Sequence, residues 1–391
     1  MYNSNTLFRG LLTVVPGFLF SSLVRQFNTD RYCRHFTTYA QFTVLLFAQI
    51  RGKDSLRDIE IAFNQRHKLF YHLGITIPNG VKRSTMADAN SRITYRFYQQ
   101  LFFKLLERFS RNLVEPNKFR FTNDLYALDA SFVEMVINMF PWAKFRATKG
   151  AIKLHVAFNI RKQIPEVVVI TTGKVGDRMG FTDFSAPKWF NSIWVFDKGY
   201  WDIYRFNLFT RKGIYFVTRL KRRVCFEVVK THPSKSRGVR SDQVIRLSSK
   251  RSLETYPGEL RLVRYIDDET GIDYEFVTNI FHLAAGTIAL IYKNRWQVEL
   301  FFKWIKQNLV IKTFFGTTQN AVFSQVWVAL IYYLILSYIK SQTKFSGSIR
   351  NLAEIIDERL FDDCTILDVL NPISQTSGGS PEDLQLDLFQ G

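Results

Sequence analysis

The sequence predicts a mixed α/β protein, with a central sheet interrupted by a β-rich segment and helical regions at both ends. Short β-branched and aromatic runs lie between about residues 121 and 280, the earlier ones alternating with helical patterns, as in a mixed sheet. Leu, Phe and Val recur at three-and-four spacing before residue 113 and again beyond Thr317. The chain has 391 residues, 47% of them hydrophobic, enough for a large core and for two or three domains.

Taken in order, residues 1–76 read as a small helical domain, with an apolar run at Phe42 to Ile50 and helical period from Leu56 to Phe63. Asn79-Gly80 marks a turn, and residues 77–120 form a helical linker. Its main helix runs from an N-cap at Ser84 to Leu113, with Arg83, Arg92 and Arg96 along it. The pattern changes after Pro116, and a core is expected over 121–320. Its strands are Leu125 to Asp129, Lys153 to Ile160, Pro165 to Thr172, Ser192 to Phe196 and, after a helix, Gly213 to Arg219.

An all-β insertion is expected at about 222–280. Its short strands are Phe226 to Val229, Val244 to Leu247, Leu260 to Ile266 and Tyr274 to Thr278. Asp268-Glu269-Thr270-Gly271 supplies a hairpin turn, and Lys230 to Arg240 a basic loop. Helices follow over 321–371. Residues 372–391, rich in Ser, Gly, Pro and acids, read as a flexible tail.

Lys plus Arg number 53 against 34 Asp plus Glu, a formal charge of +19. That excess on a folded chain points to a polyanion, nucleic acid first. An anionic membrane is second, but no basic amphipathic helix stands apart from the core pattern. The three cysteines show no metal or redox spacing, so a reducing cytoplasm is expected. The N-terminal apolar run is broken by Arg9 and Pro16, a poor signal peptide. The run Val326 to Ile339 is short for a bilayer and reads as a buried helix.

The most informative stretch holds Tyr292, Arg295, Glu299 and Lys306. On one helix at about 100° per residue they share a stripe of roughly 60°, with Val298, Leu300, Phe301, Trp304 and Ile305 on the other side. Such a stripe fits a solvated face of charge pairs, the commoner case, or a site holding both a metal ion and a phosphate. Asp129 and Asp197 each follow an apolar run at the end of an expected strand. Either could be a turn residue. Held there with Glu299, they would form an Asp-Asp-Glu set able to hold two Mg²⁺ ions about 4 Å apart for phosphodiester cleavage.

These residues resemble the Tyr-Arg-Glu-Lys signature of bacterial insertion-sequence transposases of family four. The resemblance extends to Leu128-Asp129-Ala130-Ser131, Asp197-Lys198-Gly199-Tyr200, the order of the three acids and the β-rich insertion before the last of them. Lys149-Gly150-Ala151-Ile152-Lys153-Leu154-His155 is similar to a stretch between the first two acids, and residues 1–76 to a small N-terminal domain of one branch. Almost the whole chain is covered.

The resemblance implies a ribonuclease-H-like core and cut-and-paste transposition through a hairpin intermediate. Asp129, Asp197 and Glu299 would be catalytic and hold Mg²⁺, with Mn²⁺ able to substitute. Tyr292, Arg295 and Lys306 would grip backbone phosphates. Trp296 would stack on a flipped base or pack beside the stripe. Lys149, Lys153 and His155 would approach DNA, His155 being equally well a satisfied strand histidine. The partners implied are double-stranded DNA, as ends and target, with residues 1–76 and 77–120 expected to bind it on charge and resemblance, and a second copy of the chain on that DNA, at the nucleoid.

In the tail, Gln385-Leu386-Asp387-Leu388-Phe389 is similar to the motif by which bacterial proteins dock on the replication sliding clamp, a short peptide with apolar anchors. A chance match or a tail folded back on the protein also fits. Two rival functions stand beside the transposase: a metal-dependent endonuclease that cuts without joining, and a silent DNA-binding repressor of transposition.

Overall fold

In the computed structural model the described residues are 6–113, 119–146, 149–176, 184, 186–234, 236–308 and 314–370. The pentapeptide Gln385 to Phe389 lies outside them. Helices come first: α1 (Leu7–Thr13), α2 (Gly17–Phe27), α3 (Thr38–Ile50), α4 (Leu56–Asn64), α5 (Arg83–Arg92) and α6 (Tyr95–Phe109). Then come β1 (Leu125–Met135), β2 (Gly150–Asn159), β3 (Ile164–Thr172), β4 (Ile193–Phe196), α7 (Ile203–Arg211) and β5 (Tyr215–Arg219). The chain goes on through β6 (Phe226–His232), β7 (Val239–Leu247), α8 (Lys250–Thr255), β8 (Glu259–Ile266) and β9 (Asp273–Thr278). It closes with α9 (Ala285–Lys293), α10 (Trp296–Asn308), α11 (Gln319–Gln342), α12 (Ile349–Glu358) and α13 (Ile366–Leu370).

These elements fall into two compact units. The helical unit holds the described residues up to 113, those between Met135 and Gly150, and those from Lys303 on. Its axis is α11, buried without a break from Ala321 to Ile339 and packed against α3 and α6. The helix is longer than its apolar run, because Thr318 caps the Ala321 N–H and starts it early.

The expected helix from Ser84 to Leu113 is two helices. Ile93 is extended, and Thr94 caps a new start. The Asn320 side chain donates to the Asn90 and Ile93 carbonyls and accepts the Tyr95 N–H, each at 2.8 Å, which satisfies the backbone groups freed by the break. Ser84 is not the cap, since α5 already begins at Arg83 and has no side-chain cap. Arg92 donates to the Thr29 and Phe36 carbonyls, and Asp30 accepts the Thr38 N–H at 2.6 Å. The intervening turn so leaves Arg31, Tyr32, Arg34 and His35 exposed; Tyr32, Arg34 and His35 line a 430 Å³ groove.

The second unit is built on one nine-stranded sheet, in the order β3-β2-β1-β4-β5-β9-β8-β7-β6. β1, β4 and β5 are parallel neighbours, whereas β3 lies antiparallel to β2 and β5 through β6 pair antiparallel. The expected all-β insertion is not separate from the core. Its last strand, β9, pairs with β5 through Val217↔Thr278, so the inserted strands prolong the core sheet. It also contains a helix, α8, capped by Ser249, whose hydroxyl accepts the Ser252 N–H. Lys230 to His232 and Val239 to Arg240 belong to β6 and β7, which shortens the basic loop at both ends.

Strand alternation sorts the two faces of this sheet. Tyr126, Leu128, Trp194, Phe196, Phe216 and Val277 point into an aromatic core with Phe206 and Phe209 of α7. Phe276, one residue from Val277, turns to the other face, where its ring lies 4.7 Å from Tyr292 of α9. That second face carries the candidate site.

Candidate active site

Parity along β1 and β4 decides where two aspartates point. Leu128 pairs with Phe196 in the parallel ladder, and both side chains enter the α7 core. The next residues are Asp129 and Asp197, on neighbouring strands about 4.8 Å apart and on the opposite face. Asp197 follows β4 directly. Asp129, expected at a strand end, lies inside β1, which runs on to Met135. Its Oδ1 accepts the Ala130 N–H at 2.8 Å.

The stripe from Tyr292 to Lys306 is not on one continuous helix. Tyr292 lies in the last turn of α9, Arg295 sits in a connecting turn, and Glu299 and Lys306 lie on α10. Asn294 explains the break: its side-chain amide donates to the Leu290 carbonyl at 2.8 Å and its Oδ1 accepts from Gln297 at 3.1 Å. The backbone bonds there tighten to the three-residue pattern, from Arg295 to Tyr292, Gln297 to Asn294 and Val298 to Arg295. The turn leaves Arg295 beside the acids.

Its guanidinium touches two of them. Nη2 donates to Glu299 Oε1 at 2.5 Å, and Nη1 lies 3.6 Å from Asp129 Oδ2. The third acid is met by Tyr292, whose hydroxyl donates to Asp197 Oδ1 at 3.3 Å. The guanidinium carbon also lies 5.6 Å from the centre of the Tyr292 ring, which joins Asp129, Asp197, Tyr292, Arg295 and Glu299 into one group. Burial pushes the Tyr292 hydroxyl up to about 12, with Asp197 adding to the rise and Arg295 opposing it, so the hydroxyl keeps its proton and can donate. Burial alone would lower Arg295, but Tyr292, Glu299 and Asp129 outweigh it and hold the guanidinium charged.

The other expected site residues are placed as follows. Trp296 opens α10 and is exposed; Lys306 is exposed on its last turn, in the helical unit. Lys149 is exposed, and its backbone is bonded to those of Phe145 and Arg146. Lys153 and His155 are 4% and 2% exposed on β2. The Lys153 ammonium donates to the Val175 carbonyl and lies over the Phe132 ring, and His155 Nε2 pairs with Thr171 at 3.0 Å. Arg219 escaped the sequence reading. It ends β5 one position past Thr218, the partner of Phe196, and its charge acts on Tyr292. A basic residue closing the third parallel strand, at the same end as both aspartates, was the available signal.

Asp129, Asp197 and Glu299 offer only carboxylate oxygens, the donor set of a hard divalent cation. A cationic group is already shared by Asp129 and Glu299, in the form of Arg295. In this conformation no three His, Cys, Asp or Glu side chains among the described residues lie close enough to hold one ion. The chemistry of the donors fits a metal, while an arginine now occupies two of them.

Residues 121–335 match the family model of the transposase DDE domain, and residues 3–76 that of a domain of unknown function, DUF4372. A Geobacillus stearothermophilus protein provisionally named a transposase for insertion sequence element IS5377 is 32% identical over 264 residues, 67% of this chain and 68% of its own. A Sinorhizobium fredii protein provisionally named transposase y4zB is 28% identical over 71% of this chain and 77% of its own. One from Synechocystis, provisionally assigned to element IS4SA, is 23% identical over 66% and 71%. The chain belongs to the DDE transposases. It is an enzyme of DNA cleavage and strand transfer that moves an insertion sequence, and its family uses divalent metals.

Proposed function

We propose that Asp129, Asp197 and Glu299 are the catalytic acids of a ribonuclease-H-like core and hold Mg²⁺, with Mn²⁺ able to replace it. The observation that carries this reading is the Leu128↔Phe196 register, which sets both aspartates side by side on the face where Arg295 joins Asp129 to Glu299. Held by these three acids, a divalent ion would supply the charge that activates an attacking oxygen and stabilises the leaving one. Tyr292 orients Asp197 through its hydroxyl. Arg295 takes a backbone phosphate with its fork and Lys306 one as a point charge. Trp296, exposed at the start of α10, is available to stack on an unpaired base.

In this reading excision is cut-and-paste through a hairpin, two copies of the chain act on paired ends, and the reaction takes place at the nucleoid. Residues 1–76 and 77–120 bind the ends, with Arg31, Tyr32, Arg34 and His35 as the exposed contact turn. Residues 121–320 are the catalytic core with its insertion at about 222–280, residues 321–371 are C-terminal helices, and the tail carries the clamp-docking motif at Gln385 to Phe389.

The test is cleavage and strand transfer on duplexes bearing the element's ends, with Mg²⁺, comparing wild type with Glu299→Ala. Products in the wild type that vanish in the variant, with end binding kept, support the assignment. Cleavage retained by Glu299→Ala sinks it.

A further inference from the structure

The oxygens best suited to a metal are held by the residue best suited to a phosphate. Arg295 contacts Glu299 at 2.5 Å and Asp129 at 3.6 Å, and its buried Nε has no hydrogen-bond partner among the described residues. The side chain is 16% exposed and Glu299 32%, so the pair is open on one side. We infer that Arg295 is a latch that couples metal loading to DNA binding. Without DNA it neutralises Glu299 and Asp129. A backbone phosphate draws the guanidinium away and frees both carboxylates for the cation.

Three physical points lead there. A guanidinium and a divalent cation cannot both sit against the same carboxylate oxygens without repelling each other. A phosphate offers the planar fork two parallel hydrogen bonds and gives the idle Nε a chance of a partner, which the present arrangement does not. Any ligand that takes Arg295 from Glu299 must also tighten metal binding, and by reciprocity metal must tighten DNA binding by the same factor. The device keeps the metal off the acids until DNA is in place. It rests on the reading of Asp129 and Glu299 as metal ligands and goes beyond it by setting the order of loading.

The test is calorimetric titration of the full chain with Ca²⁺, which takes oxygen ligands, with and without a duplex carrying the element's end. Wild type should bind Ca²⁺ about 5- to 150-fold more tightly with DNA than without. Arg295→Gln should bind Ca²⁺ without DNA nearly as tightly as wild type does with it, and gain little from DNA. Arg295→Lys loses the fork but keeps the charge that repels the cation, so its Ca²⁺ affinity without DNA should stay near that of wild type; Arg295→Met, which also removes the charge, carries the test if the glutamine variant does not fold.

Equal Ca²⁺ affinity of the wild type with and without DNA overturns the latch. So does an unchanged or lower DNA-free affinity in Arg295→Gln. A DNA-free affinity in Arg295→Lys as high as in Arg295→Gln overturns it too, because the retained charge should still repel the cation. Glu299→Gln separates the two layers of the argument. If it leaves Ca²⁺ binding unchanged, the acid site itself is wrong; if it weakens Ca²⁺ while the arginine variants behave like wild type, only the latch fails.

Discussion

Arg261 and Arg295 both hold carboxylates in the sheet unit, but only one has its nitrogens filled. Arg261, on β8, grips Asp242 of β7 with Nε and Nη2 at 2.8 and 2.7 Å. Its Nη1 donates to the Ile280 and Leu283 carbonyls at 3.1 and 2.6 Å, and each side chain of the pair is 7% exposed. Arg295 leaves Nε empty and faces an acid that is partly open to solvent. A pair with every nitrogen engaged has nothing to gain by moving and fixes geometry, here the lead into α9. A pair with an idle donor can exchange partners at little cost. Hydrogen-bond satisfaction separates the arginine–carboxylate pair that is fixed from the one proposed to exchange partners.

The comparison breaks most sharply at the acids. Asp129→Asn should lower end cleavage by about 1000-fold, roughly 4 kcal/mol of barrier, while its thermal midpoint stays near wild type. A single-turnover assay beside a melting curve reads both; a large fall in the midpoint would mean that Asp129 belongs with Asp242.

Arg261→Met should do the reverse and cost about 3–5 kcal/mol of stability in urea unfolding, because Asp242 is left buried and unpaired. Replacing both, with Arg261→Met and Asp242→Leu, should recover most of that loss. Arg295→Gln should shift stability by about 1 kcal/mol at most, as expected of a partly exposed pair. A loss as large as that of Arg261→Met would erase the distinction.

The smallest effect is in alkali. Tyr292, raised to about 12, holds its proton more tightly folded than unfolded. Its contribution is therefore fully present below pH 10 and is lost as pH rises towards 12. At pH 11 the loss from this one group is about 1 kcal/mol. Comparing urea midpoints of wild type and Tyr292→Phe at pH 9 and pH 11 isolates it from other tyrosines whose hydroxyls burial raises as well, among them Tyr98, Tyr126, Tyr256, Tyr332 and Tyr333.

Much of the sheet was legible because strands announce themselves locally. Val167 to Ile170 and Trp194 to Phe196 are short apolar runs whose type depends on nearest neighbours. The helix break at Asn294 was not legible, since Asn within a helical pattern is nearly neutral and only its bonds to Leu290 and Gln297 reveal the stop. Nor was α8, a helix of six residues too short to show a period. Arg219 closes a strand that was legible, but it carried no spacing relation to any acid, and only the parallel ladder of β4 with β5 brings it to their end of the sheet.

By itself the amino-acid sequence determined the polyanionic partner, the periodicity of most elements and the set of acids and cations, because charge, pattern and side-chain chemistry are properties of the chain. Tertiary structure alone decided that β9 joins the inserted strands to the core sheet, that Asp129 and Asp197 share one face, and that Arg261 is satisfied while Arg295 is not. Those outcomes rest on partners distant along the chain, Leu128 with Phe196 and Asp129 with Arg295, and such pairings are set by register and burial, which no local pattern encodes.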